Sequence, residues 1–258
     1  MNNIFHNFSG HPQIFSRDFT VRYSEVNKFG IIKLHSVFDY LQQTAAEHAN
    51  KLNCGMHALY DRGMIWVLSK MSIKFNGAFH PEQKISVYTY PSRIEKLFFR
   101  REFEICDAAS GGILLRASSF WLLLNAEKLR PLRRDALGDI SIENPELPVF
   151  IPDFPPFPAV NEQFEEILTT RADFSRMDIN QHMNNAQYAN MTEDALFEKL
   201  QSGFSVNELH VAFLQAQKYP DMISTLIKLD KYGEFYICGT NKDKNCAAFN
   251  VSGKLTLV

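Results

Sequence analysis

In the stretch "SRMDINQHMNN", residues 175–185, Asp178, Asn180, His182, Asn184 and Asn185 fall within eight positions. Closing a turn or capping a helix uses one or two such residues. His182 is the member whose unperturbed pKa lies near neutrality, which makes it the candidate general base. Asp178 could orient that imidazole or share the work on a water, and its charge favours the imidazolium formed in transit. Asn180 is neutral with two donors and an acceptor, suited to fixing a water or a polarised carbonyl oxygen. Asn184 and Asn185 stand where a helical pattern begins. Capping is their ordinary role, and a helix N-terminus also offers N–H groups to a developing oxyanion. Together these residues fit hydrolysis of an acyl group by activated water. No GxSxG elbow is present, and Cys106 and Cys238 fall inside strand-like runs where a buried thiol is inert. Direct attack by water is therefore expected, rather than an acyl-enzyme intermediate.

The elements that must position this cluster occur twice. Residues 22–43 align with 174–194 when Ser24 is matched to Ser175, each a polar turn followed by a helical pattern. Val37, Tyr40, Leu41, Ala45 and His48 share one face of the first helix; Tyr188, Met191, Ala195 and Leu200 share one face of the second. "MSIKFNGAFHPEQKISV" (71–87) lies against "LHVAFLQAQKYPDMIST" (209–225), with breaks at Pro81 and Pro220. "FEIC" (103–106) matches "FYIC" (235–238), and each leads through a turn into a last alternating run, 113–125 and 246–257. Each copy thus reads as one long helix and an antiparallel meander, and burying one face of each wraps the sheet around the helix. The expected class is α+β, two tandem hot-dog domains. Between them, residues 137–165 carry six prolines, which excludes regular structure and marks a linker. The expected domains are 1–136 and 166–258.

Composition excludes other classes. Hydrophobic residues make up 45% of 258, enough for a packed core rather than disorder, and no run reaches a membrane span. A net charge of −2 gives no global case for nucleic acid. The four cysteines form no CxxC pair and no zinc spacing, consistent with a reducing cytoplasm. The N-terminus lacks a basic segment followed by an apolar run, so no signal peptide is expected. No metal and no cofactor is expected.

The chain resembles the acyl-acyl-carrier-protein (acyl-ACP) thioesterases of plants and bacteria. In the first half the likeness rests on "YLQQTAAEHANKL", "GMIWVLSKMSIKF", "RREFEICDAASGG" and "SSFWLLLNAEKLRPLR"; in the second it rests on "MDINQHMNNAQYA", similar to that family's Asp-x-Asn-x-His-x-Asn-Asn signature. The resemblance implies hydrolysis of fatty acyl-ACP to free fatty acid, with catalytic roles for Asp178, Asn180 and His182. It also implies an acidic carrier protein as partner. Opposite those three positions the first copy has Asn27, Phe29 and Ile31, so 1–136 is expected to house the acyl chain. Two departures stand out. The family's further acidic residue and the cysteine after it fall at Ala216 and Gln217, where Gln215 or Gln217 could position a water but not take its proton. Asn190 replaces an aromatic residue. An acyl-coenzyme A thioesterase and a non-hydrolytic acyl-binding protein remain open readings. Arg93, Lys96, Arg100, Arg101, Arg130, Arg133 and Arg134 form two basic runs that would steer an acidic carrier. A bacterial cytoplasm, as monomer or homodimer, is the expected setting.

Overall fold

The computed structural model describes residues 3–8 and 10–258. The chain divides into two compact units, Met1–Tyr23 with Tyr40–Asp153, and Ser24–Asp39 with Phe154–Val258. A short helix α1 (Ile4–Asn7) precedes β1 (Phe15–Thr20), and the long helix α2 (Leu34–Lys51) is followed by α3 (Met56–Tyr60). The first unit's strands continue with β2 (Met64–Phe75), β3 (Lys84–Glu95), β4 (Phe98–Asp107) and β5 (Ile113–Asn125). In the second unit β6 (Glu165–Arg171), helix α4 (Asn185–Leu200), β7 (Phe204–Phe213), β8 (Met222–Leu229), β9 (Glu234–Asn241) and β10 (Cys246–Leu257) follow in order.

The duplication read from the sequence is present in the strand order. The first unit runs β1-β3-β4-β5-β2 and the second β6-β8-β9-β10-β7, the same permutation, with antiparallel pairs throughout. "FEIC" and "FYIC" fall on β4 and β9 as aligned. Helix α4 buries Ala186, Tyr188, Ala189, Met191, Thr192, Ala195 and Leu196. The ring of Tyr188 meets Phe213 of β7 edge-on at 5.4 Å and Phe249 of β10 at 5.2 Å. Such ring contacts add about 0.5–1.5 kcal/mol each beyond area burial and fix the helix on its sheet.

In the first unit the Pro-rich segment forms no regular element and straps the sheet. Tyr90 Oη donates to Pro148 O at 2.7 Å, Phe150 N–H to Glu102 Oε2 at 3.1 Å, and Ile151 N–H to Ser118 Oγ at 3.0 Å. Strand β4 is consequently buried on both faces from Phe99 to Cys106. This corrects the expectation for two basic residues. Arg100 is 2% exposed and donates to Ile151 O at 2.6 Å and Pro152 O at 2.8 Å, 3.7 Å from the buried Glu102 carboxylate. Arg101, on the opposite face, is buried against His48 Nδ1 (3.0 Å) and Thr89 Oγ1 (3.2 Å). Burial and the adjacent guanidinium pull His48 down to about 3, and burial pulls Arg101 down to about 10. Neither arginine is available to a partner. Arg93, Lys96, Arg130 and Arg133 are exposed, and half-buried Arg134 donates to Gly138 O and Ile140 O.

Candidate active site

Residues 177–183 form a closed loop sealed by a bridge between Met177 and Met183. Asp178 Oδ1 accepts Asn180 N–H at 2.8 Å and His182 N–H at 3.4 Å, while Asp178 N–H donates to His182 O at 2.8 Å. Gln181 closes the turn in the left-handed region, φ 61°. The backbone of the loop is thus pinned before any side chain does chemistry. The first copy builds the same cage. Asn27 Oδ1 accepts Phe29 N–H (3.0 Å) and Ile31 N–H (3.2 Å), Asn27 N–H donates to Ile31 O (2.8 Å), and Val26 bridges Ile32. There Gly30 takes the left-handed position, φ 75°. A neutral amide makes the loop as well as a carboxylate does, so the fold alone does not explain the charge on Asp178.

His182 is half-buried, and its imidazole makes no hydrogen bond among the described residues. Burial lowers its pKa, Lys218 lowers it further, Asp178 opposes, and Lys244 adds to the lowering. The imidazole is therefore neutral near pH 7 and able to accept a proton. Asp178 touches the backbone of His182 and acts on the ring by charge, not by a hydrogen bond that orients it. Asn180 is exposed, with its amide unengaged among the described residues. Asn184 caps α4 by accepting Ala186 N–H at 2.8 Å, and Asn185 is the first residue of that helix. The imidazole therefore stands two residues before a helix N-terminus, where partial positive charge collects.

The expected helpers lie on the loop after β7. Gln217 is fully buried; its Nε2 donates to Gln215 O at 2.8 Å and its Oε1 accepts Asn241 Nδ2 at 2.6 Å. That amide is committed to the scaffold and is not free to hold a water. Gln215 and Ala216 are exposed. What joins this loop to the cluster is backbone: Met183 N–H donates to Gln217 O at 2.8 Å, and Ala172 N–H to Asp221 O at 2.8 Å. Asp221, the nearest carboxylate in sequence, accepts Lys218 N–H (2.9 Å) and Lys244 Nζ (2.6 Å). Lys218 and Lys244 escaped the sequence reading because no local pattern reveals a bond between residues 183 and 217. Cys106 and Cys238 are buried with raised pKa values, chiefly through burial, as befits inert thiols. Among the described residues no cluster of His, Cys, Asp and Glu fits a metal ion.

Comparison with known proteins agrees with this architecture. Residues 12–135 match the acyl-ACP thioesterase N-terminal domain and residues 159–251 the acyl-ACP thioesterase C-terminal domain. A chloroplastic acyl-acyl-carrier-protein hydrolase of Cuphea viscosissima is 26% identical over 236 residues, 86% of this chain and 57% of its own. A chloroplastic palmitoyl-acyl carrier protein thioesterase of Cuphea hookeriana is 29% identical over 190 residues, 68% of this chain and 45% of its own. The chain spans about half the length of these relatives. Among solved structures, an acyl-ACP thioesterase from Bacteroides thetaiotaomicron superposes with a TM-score of 0.83 at 21% identity, covering 95% of this chain and 98% of that one. The 12:0-ACP thioesterase of Umbellularia californica gives 0.82 at 17%, covering 97% and 100%. The fold is therefore the double hot-dog that the repeat implied. With its two halves matching the two domains in order, the chain belongs to the acyl-ACP thioesterase family.

Proposed function

We propose that the protein hydrolyses the thioester of a fatty acyl chain carried on ACP, releasing a free fatty acid and holo-ACP. Neutral His182 takes a proton from water as the oxygen attacks the thioester carbonyl. The oxyanion forms against the Asn180 amide and the N-terminal end of α4. Collapse breaks the carbon–sulfur bond, and the imidazolium returns its proton to the departing thiolate. Asp178 supplies a charge that favours the transient imidazolium. In this reading residues 166–258 carry the chemistry. Residues 1–136 receive the acyl chain, since Asn27, Phe29 and Ile31 offer neither acid nor base.

The observation that carries the reading is the neutral imidazole of His182, without a hydrogen bond among the described residues, on a loop pinned by the bonds of Asp178. Thiol release from purified protein over a panel of acyl-ACP chain lengths tests it, with His182→Ala alongside. General-base loss costs about 10²–10⁴-fold. Equal rates in both proteins would remove His182 from the mechanism, and no release from either would leave an acyl-binding protein. Faster release from acyl-coenzyme A at equal chain length would make coenzyme A the carrier. The exposed cations Arg93, Lys96, Arg130 and Arg133 support an acidic partner, so the Michaelis constant for acyl-ACP should rise with salt. A reducing cytoplasm suits the four free thiols, and no described helix is long and apolar enough to cross a membrane.

A further inference from the structure

We infer that the helix–sheet interface of the first unit holds a binding site for an aliphatic carboxylate, in which the buried Arg101 guanidinium takes the carboxylate and apolar side chains around it take the tail. The site lies wholly in the first unit and does not depend on the role given to His182.

Arg101 stands on β4, the middle strand of β1-β3-β4-β5-β2, and its bond to His48 of α2 shows that it points toward the helix. Only 9% of it is exposed. Arg100, pointing the other way, is the other buried arginine among the described residues, and the contrast is informative. It has Glu95 at 3.0 Å, Glu102 at 3.7 Å and two carbonyls of the strap. Arg101 has neutral partners alone: Nη1 donates to His48 Nδ1 at 3.0 Å and to Thr89 Oγ1 at 3.2 Å. Its Nε and Nη2 groups make no hydrogen bond among the described residues, and they are not enclosed as the Nε of Arg100 is. Nearby carboxylates are committed elsewhere. Glu102 and Glu104 lie on the other face of β4 with Arg100 and Arg116, and Glu47 is held by Arg17. Cys54, close to Arg101, is a thiol kept neutral by burial. Lys51 adds a second cation: its Nζ stands 4.3 Å from the ring of Phe15, which stacks on His48 at 5.4 Å. A charge taken out of water costs several kcal/mol unless it is paired. The anion that pairs with Arg101 is therefore one that a ligand brings.

The surroundings select its class. Phe99 and Phe103 flank Arg101 on the same face of β4, and Trp121 lies opposite Phe99 on β5. Leu41 and Ala45 share the α2 face that carries His48. Polar groups are confined to one spot, where Ser119 Oγ donates to Arg101 O at 3.2 Å and Trp121 Nε1 donates to Ser119 Oγ at 2.8 Å. One guanidinium fork among apolar walls fits a single carboxylate on a hydrocarbon tail, whereas a phosphate would need further cations or water. Burial closes Arg101 to a carrier protein but not to a slender alkyl chain. A free fatty acid has this chemistry. It is also the product of the proposed hydrolysis, so occupancy would hold back turnover as product accumulates; that consequence, unlike the site, rests on the proposed function.

Both tryptophans of the chain report on this region, Trp121 through Ser119 and Trp66 through its edge-on contact with Phe99 at 5.0 Å. The test titrates delipidated protein at pH 8 with decanoate, decanol and decylamine, which share a tail and differ in the head, and follows tryptophan emission and the heat of binding. Decanoate should bind about tenfold tighter than either of the others, because its head forms a charge-assisted pair. Arg101→Gln should erase that preference, and Arg101→Lys should keep part of it. The head-group series needs no variant, so it decides even where Arg101→Gln does not fold. Equal affinity for decanoate and decanol, or no binding of decanoate, overturns the site. A carboxylate preference that survives in folded Arg101→Gln puts the anion elsewhere and overturns the assignment as well. None of these readouts uses hydrolysis, so a protein that binds decanoate and releases no thiol leaves the site standing and refutes only the proposed function.

Discussion

Asp178→Asn separates the two jobs of the acid. The loop needs an acceptor that takes the N–H groups two and four residues on, and Asn27 performs that service in the first copy with bonds of 3.0 and 3.2 Å. Substituting the amide at 178 should therefore leave the cage intact and change stability by less than about 0.5 kcal/mol. What disappears is a negative charge. The carboxylate accepts the His182 N–H at 3.4 Å, so a separation from the ring on the order of 6 Å, the outer end of the range in which an opposite charge favours the imidazolium, is a fair working distance. For a half-exposed pair with an effective dielectric near 40, Coulomb's law gives about 1.4 kcal/mol in favour of the imidazolium, close to a factor of ten in rate. Asp178→Asn should thus lose about tenfold in kcat with little change in Michaelis constant. Because Asp178 raises the His182 pKa, the acid limb of the profile should also move to lower pH. Thermal denaturation and steady-state thiol release measure the two halves independently. A melting temperature lowered by many degrees, or an unchanged kcat, would refute the division of labour.

Three further outcomes follow from the same contacts. Asn184→Ala removes the oxygen that accepts Ala186 N–H and should cost about 1 kcal/mol in urea denaturation. Glu102→Ala strips the buried acceptor of Ser92, Ser118 and Phe150 and the buried counter-charge of Arg100, which keeps only the Glu95 carboxylate; with several buried donors left without a partner the loss should reach about 3–5 kcal/mol. Glu193, whose Oε2 accepts Leu34 N–H at 2.8 Å, is pushed from 4.5 up to about 7, mainly by burial. Between those values the folded state holds a proton that the unfolded chain has lost, so stability should fall as pH rises through that window. Glu193→Gln should flatten the slope in pH-dependent urea titrations.

The fold was legible where pattern alone decides it. The repeat order of helix and strands survives in both copies, and the paired segments at 103–106 and 235–238 land on equivalent strands, β4 and β9. The candidate site was legible because five polar residues in eight positions exceed what caps and turns need. The fate of the basic runs was not. A run such as "FFRREFEIC" reads as a solvated face unless the strand is covered on both sides, and the second cover is the Pro-rich strap. The signal was present in another form: Arg100, Glu102 and Glu104 alternate on one face of β4, an arrangement in which buried charges can compensate each other. Gln217 was misjudged for a related reason. Its amide satisfies Asn241, twenty-four residues away, and such a partner has no local imprint.

The paired loops narrow the question of what would make the second copy reactive under the proposed mechanism. Backbone geometry does not distinguish them, since the same hydrogen bonds occur in each and the same position, Gly30 or Gln181, takes the left-handed conformation. The third position does. Phe29 lies 6.2 Å from the ring of Phe197 on α4, Lys28 Nζ stands 4.1 Å above that ring, and a methyl group added at Gly203 would meet Phe29 at 3.2 Å. The first loop is held against the helix by its own aromatic residue. Asn180 occupies the corresponding place in the second loop, exposed and with its side-chain amide unengaged among the described residues. Converting Asn27, Phe29 and Ile31 to Asp, Asn and His would therefore remove the packing of Phe29 on Phe197 while preserving the cage. The two loops thus differ at this position, an aromatic ring laid toward Phe197 in one and an exposed amide in the other.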